Sequence, residues 1–290
     1  MKAFFALAVA AAGLFFPLQA LAQPAAVVEG VQMPAWVERG APAQRIPLAP
    51  GMQLGSGDQL ITGPGSRLLV KLAEGSLLKL GENATLRIAE IQPNKDLFKA
   101  VMSVLEGAFR FTSERVVQKR RRDINIHVSQ VTAGIRGTDL WGRSRDDKQI
   151  VCLIEGKIEV GAAGEPAVTM DQPLQFYQRE KGQTKPVGFV DAKQLAQWSL
   201  ETEIEAGKGA ARRGGKWKLV LAAADNPNSA LALYDLVRAD GYAAEILPLK
   251  EGEQLVYLVR IRNLSSRAEA QALAAQLRGK HGIVAPRVSA

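Results

Sequence analysis

The chain has 290 residues, of which 47% are hydrophobic and 23% charged, and its formal net charge is +8. One cysteine excludes an intrachain disulfide, and two histidines leave little material for a histidine-based metal or nucleophile site. The cation surplus suits an acidic envelope polymer or phospholipid head groups, although net charge reports association and solubility rather than function.

Lys2 precedes an apolar run over residues 3–16, and Ala20-Leu21-Ala22 supplies the small-x-small pattern of a signal-peptidase site. Residues 1–22 are therefore expected to be a cleaved signal peptide, with Gln23 opening a mature chain that works in the periplasm. The alternative is a retained anchor, but the run falls short of the roughly 20 residues a span needs. No Cys follows it to take a lipid, and no later stretch approaches spanning length. Removing residues 1–22 removes Lys2 alone among charged side chains, so the charge falls from +8 to +7.

Residues 23–50 form an N-terminal segment without an assigned element. From 51 to 180 the chain is a succession of short apolar runs broken by Gly: 67–72, 77–80, 85–91, 108–111, 124–128, 149–154 and 157–160. Strand-length spacing with few helical stripes predicts an all-β domain. Glu-Gly pairs at Glu74-Gly75, Glu106-Gly107 and Glu155-Gly156 read as tight turns, the latter two launching an inward-facing strand. Cys152 lies in an apolar strand and reads as a small buried hydrophobe, with an intermolecular bridge or reactive thiol as the alternative. His127 alternates with Ile126 and Val128 and is expected to face solvent. Asp146-Asp147, flanked by Arg145 and Lys148, reads as an exposed turn rather than a catalytic carboxylate pair. The basic run from Lys119 to Arg122 could dock phosphate, carboxylate or lipid; a solvated loop is the simpler reading.

The string Thr132-Ala133-Gly134-Ile135-Arg136-Gly137-Thr138-Asp139, with Gly57-Asp58-Gln59-Leu60-Ile61-Thr62 before it and residues 151–160 after it, resembles the FecR domain, a periplasmic all-β module. In that string Gly134 and Gly137 are expected to supply turn geometry, and Thr138 and Asp139 to bond nearby backbone. Arg136 has two open readings: packing on the sheet beside a buried carboxylate, or ligand contact.

Residues 181–215 are expected to hold a short helix, with Leu195, Trp198 and Thr202 on it, followed by a flexible linker over 207–215. Such a linker would be the preferred site of limited proteolysis, at Arg212 and Arg213.

Residues 216–290 read as a βαββαβ module. A strand at 217–221 ends at Asp225-Asn226-Pro227-Asn228. A helix capped by Asn228 or Ser229 carries Ala230, Leu233, Tyr234 and Val237 as its stripe and stops at Gly241. Strands at 245–249 and 255–261 follow across a polar connection. A second helix opens with a Ser266/Glu269 capping box and buries Ala270, Leu273, Ala274 and Leu277. A last strand spans 283–288. Two helices cover one face of such a sheet, so the other lies open. Alternation puts Trp217, Leu219, Leu221, Tyr257, Val259 and Ile261 beneath the helices and Lys218, Val220, Leu258, Arg260 and Arg262 on the open face.

This order, with Trp217 opening the first strand and Tyr257-Leu258-Val259-Arg260-Ile261 in the third, resembles the SPOR domain, whose families bind bacterial peptidoglycan, especially glycan stripped of stem peptides. The chain departs from it where the family carries Gln-x-Gly-Ser-Phe, having Val220 to Ala224 instead, and where the family carries Arg-Val-x-Val-Gly-Pro, having Leu258 to Asn263.

The fold expected is thus multidomain: an all-β FecR-like domain followed by a small α+β module. The resemblance implies a non-catalytic envelope protein, active in a setting such as cell division. Its partners would be peptidoglycan glycan strands, through Lys218, Val220, Leu258, Arg260 and Arg262, and a protein or saccharide at the FecR-like domain. No cofactor is expected, since no metal-ligand spacing, catalytic constellation or phosphate loop is found. Nucleic acid is not expected either, because the exposed strands lack an aromatic platform for bases. Two alternatives remain: a FecR-type sensor, which would need a retained span with a cytoplasmic segment before it, and a scaffold whose SPOR-like face has lost glycan binding.

Overall fold

The computed structural model describes residues 24–94, 96–113 and 121–290. The expected signal peptide, and Lys119 and Arg120 of the basic run, lie outside the described residues. In chain order the N-terminal strands are β1 (Ala26–Gln32), β2 (Ala35–Arg39), β3 (Gln44–Pro47), β4 (Gln53–Leu54), β5 (Gln59–Thr62), β6 (Arg67–Leu72), β7 (Leu77–Leu80) and β8 (Thr85–Pro93). They continue with β9 (Leu97–Thr112), β10 (Arg121–Val128), β11 (Val131–Arg145), β12 (Lys148–Ala162), β13 (Val168–Met170), β14 (Gln175–Glu180) and β15 (Gln183–Phe189). Helix α1 (Ala192–Leu200) and the short β16 (Ala210–Arg212) lead to β17 (Trp217–Ala224), α2 (Pro227–Ala239), β18 (Ala244–Glu251), β19 (Gln254–Leu264), α3 (Arg267–Leu277) and β20 (Arg287–Ser289).

Three long strands organise the β domain by crossing from one sheet to another. The first half of β9 pairs with β8 and, in parallel, with β10, whereas its second half pairs with β7 and β11. β11 and β12 bend in the same way. One sheet therefore runs β3-β2-β5-β8-β9-β10-β11-β12-β13 and the other β16-β1-β6-β7-β9-β11-β12-β14-β15. Side chains alternate in and out along each half strand, and residues such as Leu68, Leu80, Phe98, Phe109, Phe111 and Ile126 fill one core with no exposed surface. Burying each contributes about 1.5–3 kcal/mol.

The bends sit on the glycines of the Glu-Gly pairs. Only Gly75 is in a hairpin turn; Glu106-Gly107 and Glu155-Gly156 lie inside β9 and β12, so the expectation of three turns is corrected. Gly156 has φ +94°, and a Cβ there would stand 2.3 Å from the Gly137 carbonyl oxygen. Opposite it the β11–β12 register shifts between Arg136 and Asp139. A continuous strand can change sheets here because an extra residue sharpens its twist and glycine permits the approach. The Gly-Ile-Arg-Gly-Thr string is thus the corner of the sandwich. Asp139 bonds a side chain rather than backbone: Arg110 reaches both its oxygens, at 2.9 and 2.7 Å. The Arg136 side chain lies outside the described residues.

The domain begins earlier than residue 51. β1 is a central strand between β6 and β16, and β2 and β3 extend the first sheet, so residues 24–50 belong to the fold. β15 likewise carries the domain past 180. Helix α1, capped by Asp191 through the amides of Lys193 and Gln194, lies outside the second sheet. There Trp198 stacks on buried Trp141 at 4.9 Å and Leu195 covers Cys152 and Ile150. The segment after α1 is held across that sheet by successive carboxylates, Glu201 on Arg143, Glu203 on Lys79 and Arg110, and Glu205 on Arg67. Of the basic run, Arg121 and Arg122 open β10 rather than a loop, and Arg122 donates to the Glu74 carbonyl.

The C-terminal sheet has the order β18-β19-β17-β20, all antiparallel. Asn226 caps α2, with Pro227 at its first turn, in place of Asn228 or Ser229. The last strand forms only over Arg287–Ser289 rather than 283–288, after a turn in which Gly279 and His281 take left-handed conformations. Helices α2 and α3 both pack on one face.

Residues 207–215, expected as a flexible linker, are instead the junction. β16 pairs with β1 on one side and, at Ala211, with Leu264 of β19 on the other. Ala210 and Ala211 are buried. Glu269 does not complete the capping box; Ser266 accepts from its amide, but its own carboxylate turns away to accept from the amides of Gly207, Gly209 and Ala210 at 2.7, 2.7 and 2.9 Å. Nearby, Trp36 of β2 donates its indole N–H to the Ala239 carbonyl, and Gly241 leaves no space for a Cβ against that ring. The two domains share one hydrophobic core.

Candidate binding face of the C-terminal sheet

Strand register decides which side chains meet on the uncovered face. Leu219, Leu221, Val259 and Ile261 are buried under the helices, and Trp217 and Tyr257 pack against the same core. Their alternates, Lys218, Val220, Leu258 and Arg260, are half-buried, and Arg262 is exposed. All five expected residues therefore fall on the open side.

Register also brings in two residues that alternation alone missed. Glu245 of β18 stands opposite Arg260, Arg260 opposite Val220, and Val220 opposite Arg287 of β20, so these four form one line across four strands. Leu247, Leu258 and Ala223 form the neighbouring, apolar line. The hairpin turn was the available signal: Glu251 pairs with Gln254 around a two-residue loop, and counting back from it places Glu245 on Arg260.

Glu245 is the carboxylate of this line. Its Oε1 lies 2.6 Å from Arg260 Nε and 2.8 Å from Arg262 Nε. A guanidinium carries five N–H donors, so binding at Nε fixes the plane of each group and leaves the Nη donors for a ligand. The Arg260 side chain is 18% exposed and that of Arg262 51%, so the first is the more buried anchor and the second the more accessible one. Lys218 donates to the Ala290 carbonyl at 3.0 Å. Such a face, with cations on one line and Leu247 and Leu258 on the next, can hydrogen-bond hydroxyls and carboxylates while packing the apolar side of a ring.

Among the described residues, the corner motifs of the β domain carry no comparable set. Arg110 is held above its ordinary pKa by its hydrogen bond to Asp139, as a structural cation is. Burial pushes the Cys152 thiol up to about 12, which makes it an inert hydrophobe. His127 is half-buried and bonds Thr132 through Nδ1 at 2.9 Å.

Comparison with known proteins follows the same division. Residues 58–159 match the family model described as FecR protein, and residues 214–286 match that of the SPOR domain. Two crystal structures of a candidate anti-sigma factor from Parabacteroides distasonis ATCC 8503 align at 18% identity with a TM-score of 0.41, covering 75% of this chain and 91% and 89% of theirs. No curated protein matches. The SPOR domain implies peptidoglycan binding and the FecR domain a sensing or signalling role in the cell envelope; both are non-catalytic binding modules. The chain combines a FecR domain with a C-terminal SPOR domain.

Proposed function

We propose that this is a non-catalytic periplasmic protein, released by cleavage after Ala22, that holds glycan strands of peptidoglycan on the open face of its SPOR domain while the FecR domain engages a protein or saccharide partner. The cationic line carries the reading. Arg260 and Arg262 share one carboxylate, Glu245, and Lys218 and Arg287 add two more cations on adjacent strands, so the lactyl carboxylates uncovered when stem peptides are removed complement that surplus. A charge-assisted hydrogen bond contributes about 1.5–3 kcal/mol, so two such bonds suffice to hold a repeating polymer with useful affinity. Val220 and Leu258 supply apolar contact beside them.

Sedimentation of the chain with purified sacculi, before and after amidase removal of the stem peptides, tests this reading. Retention that rises on amidase treatment is expected. Absence of retention on both would leave the face to a protein partner, a second reading supported by Val220 and the alanines standing where SPOR families carry Gln and Ser. N-terminal sequencing of the exported protein should begin at Gln23; an intact Met1 in the membrane fraction would favour the sensor arrangement instead.

A further inference from the structure

A cleft of about 210 Å³ opens where the SPOR sheet meets the FecR domain, and its walls come from different domains. Ile46, Pro47 and Met52 give an apolar wall; Arg238, Glu245 and Arg262 line the other side. Glu245 and Arg262 belong to the open face as well, so the cleft continues that face past the ends of β18 and β19 and onto the first domain. Its width is fixed, because β16 pairs with strands of both domains and Glu269 ties the intervening backbone down. Arg238 is also held in place, its guanidinium 5.0 Å above the Tyr234 ring and donating to the Ala244 carbonyl at 3.3 Å.

The volume exceeds the roughly 150 Å³ that admits a benzene-sized group, and the pairing of an apolar wall with guanidinium donors selects a substituent that is itself amphipathic. An acetamido group meets both demands, with a methyl for Met52 and Pro47 and a carbonyl oxygen for Arg238 or Arg262. The geometry points to a second subsite: the FecR domain supplies the apolar wall of a cleft that takes an N-acetylated sugar unit of the glycan strand lying on the SPOR face. Glycan recognition then belongs to the two domains together. This inference rests on the proposed glycan-binding role of the open face.

The test uses the full chain and amidase-treated sacculi, either native or chemically de-N-acetylated. Met52→Gln makes the wall polar, and Ala49→Phe fills the cleft from a lining position whose present side chain is small. Each is expected to weaken binding to native sacculi about tenfold with the thermal midpoint unchanged, and to abolish the parent's preference for N-acetylated material. Parent-like binding by both variants, while an Arg260→Ala/Arg262→Ala pair loses retention, overturns the subsite and leaves the glycan reading intact. Parent-like binding by the arginine pair too overturns both. Should a wall variant fail to fold, the parent decides: equal binding to native and de-N-acetylated sacculi overturns the subsite.

Discussion

Cations are used in opposite ways in the two domains. On the β-sandwich they meet carboxylates: Arg110 takes Asp139 through two donors, Arg39 reaches Asp58 at 2.8 Å, and Arg67, Lys79 and Arg143 each receive a glutamate from the segment after α1. Single exposed pairs of this kind are worth about 0–1 kcal/mol each, yet in series they fix where a strand or loop lies. On the SPOR face, Arg260 and Arg262 share Glu245, while Lys218 and Arg287 stand on neighbouring strands away from it. Charge that positions backbone is satisfied within the fold, and charge that awaits a ligand keeps donors unspent.

The comparison breaks most severely if the sandwich corner fails. Gly156→Ala would force a side chain into a left-handed conformation and to within 2.3 Å of the Gly137 carbonyl. Strain and overpacking together should cost about 4 kcal/mol, seen as a fall in the urea midpoint. A midpoint equal to the parent's would mean that the corner is not rigid. Next comes the junction. Glu269→Ala strips the acceptor from three amides of residues 207–210, at a cost of roughly 3 kcal/mol. It should also turn Arg212 and Arg213 into a rapid trypsin site, whereas the parent resists cutting there; a parent chain cleaved quickly into two stable fragments would contradict the shared core.

That last contrast shows what the sequence could convey. The βαββαβ order, the buried stripes of α2 and α3 and the five open-face positions follow from local periodicity, which needs no partner information. Residues 207–215 mislead because their glycines and arginines match a mobile tether, while the pairing that orders them comes from β1, far back in the chain, and from Glu269, far ahead. The segment 24–50 is obscured likewise: prolines interrupt its alternation, and its burial depends on β5, β6 and α2. Glu245 and Arg287 could be assigned to the binding face only through strand register. The Glu-Gly pairs were visible as punctuation, but a glycine in a bent strand and one in a hairpin look alike in sequence.

Binding experiments sharpen the other half of the comparison. Arg260→Ala/Arg262→Ala should weaken retention on amidase-treated sacculi about a hundredfold, two tenfold steps, with unchanged unfolding; Tyr257→Ala should lower stability because that ring packs on the core. An arginine pair that sediments like the parent would move the glycan site off this face. Arg287→Ala is expected to have a smaller effect, about fivefold, since its exposed side chain lies at the far end of the line and is screened. The loss should shrink as salt rises. A loss independent of salt would mean that Arg287 acts through packing.

The smallest effect is expected at Cys152, the one thiol in the chain, which lies fully buried beneath α1 against Trp141 and Ile150. Burial disfavours the thiolate and raises its pKa from 9.0 to about 12. At neutral pH the native chain should therefore resist alkylation by iodoacetamide and react only after denaturation. The linkage has a definite sign. Because the folded-state value is the higher one, the preference for the neutral thiol adds stability that is fully present below pH 9.0 and is lost as pH rises through about 12. Cys152→Ser, which cannot form a thiolate, should then show a flatter fall in stability across that alkaline window than the parent. Identical slopes for the two, or rapid alkylation of the folded parent, would show that α1 does not stay seated on the sandwich.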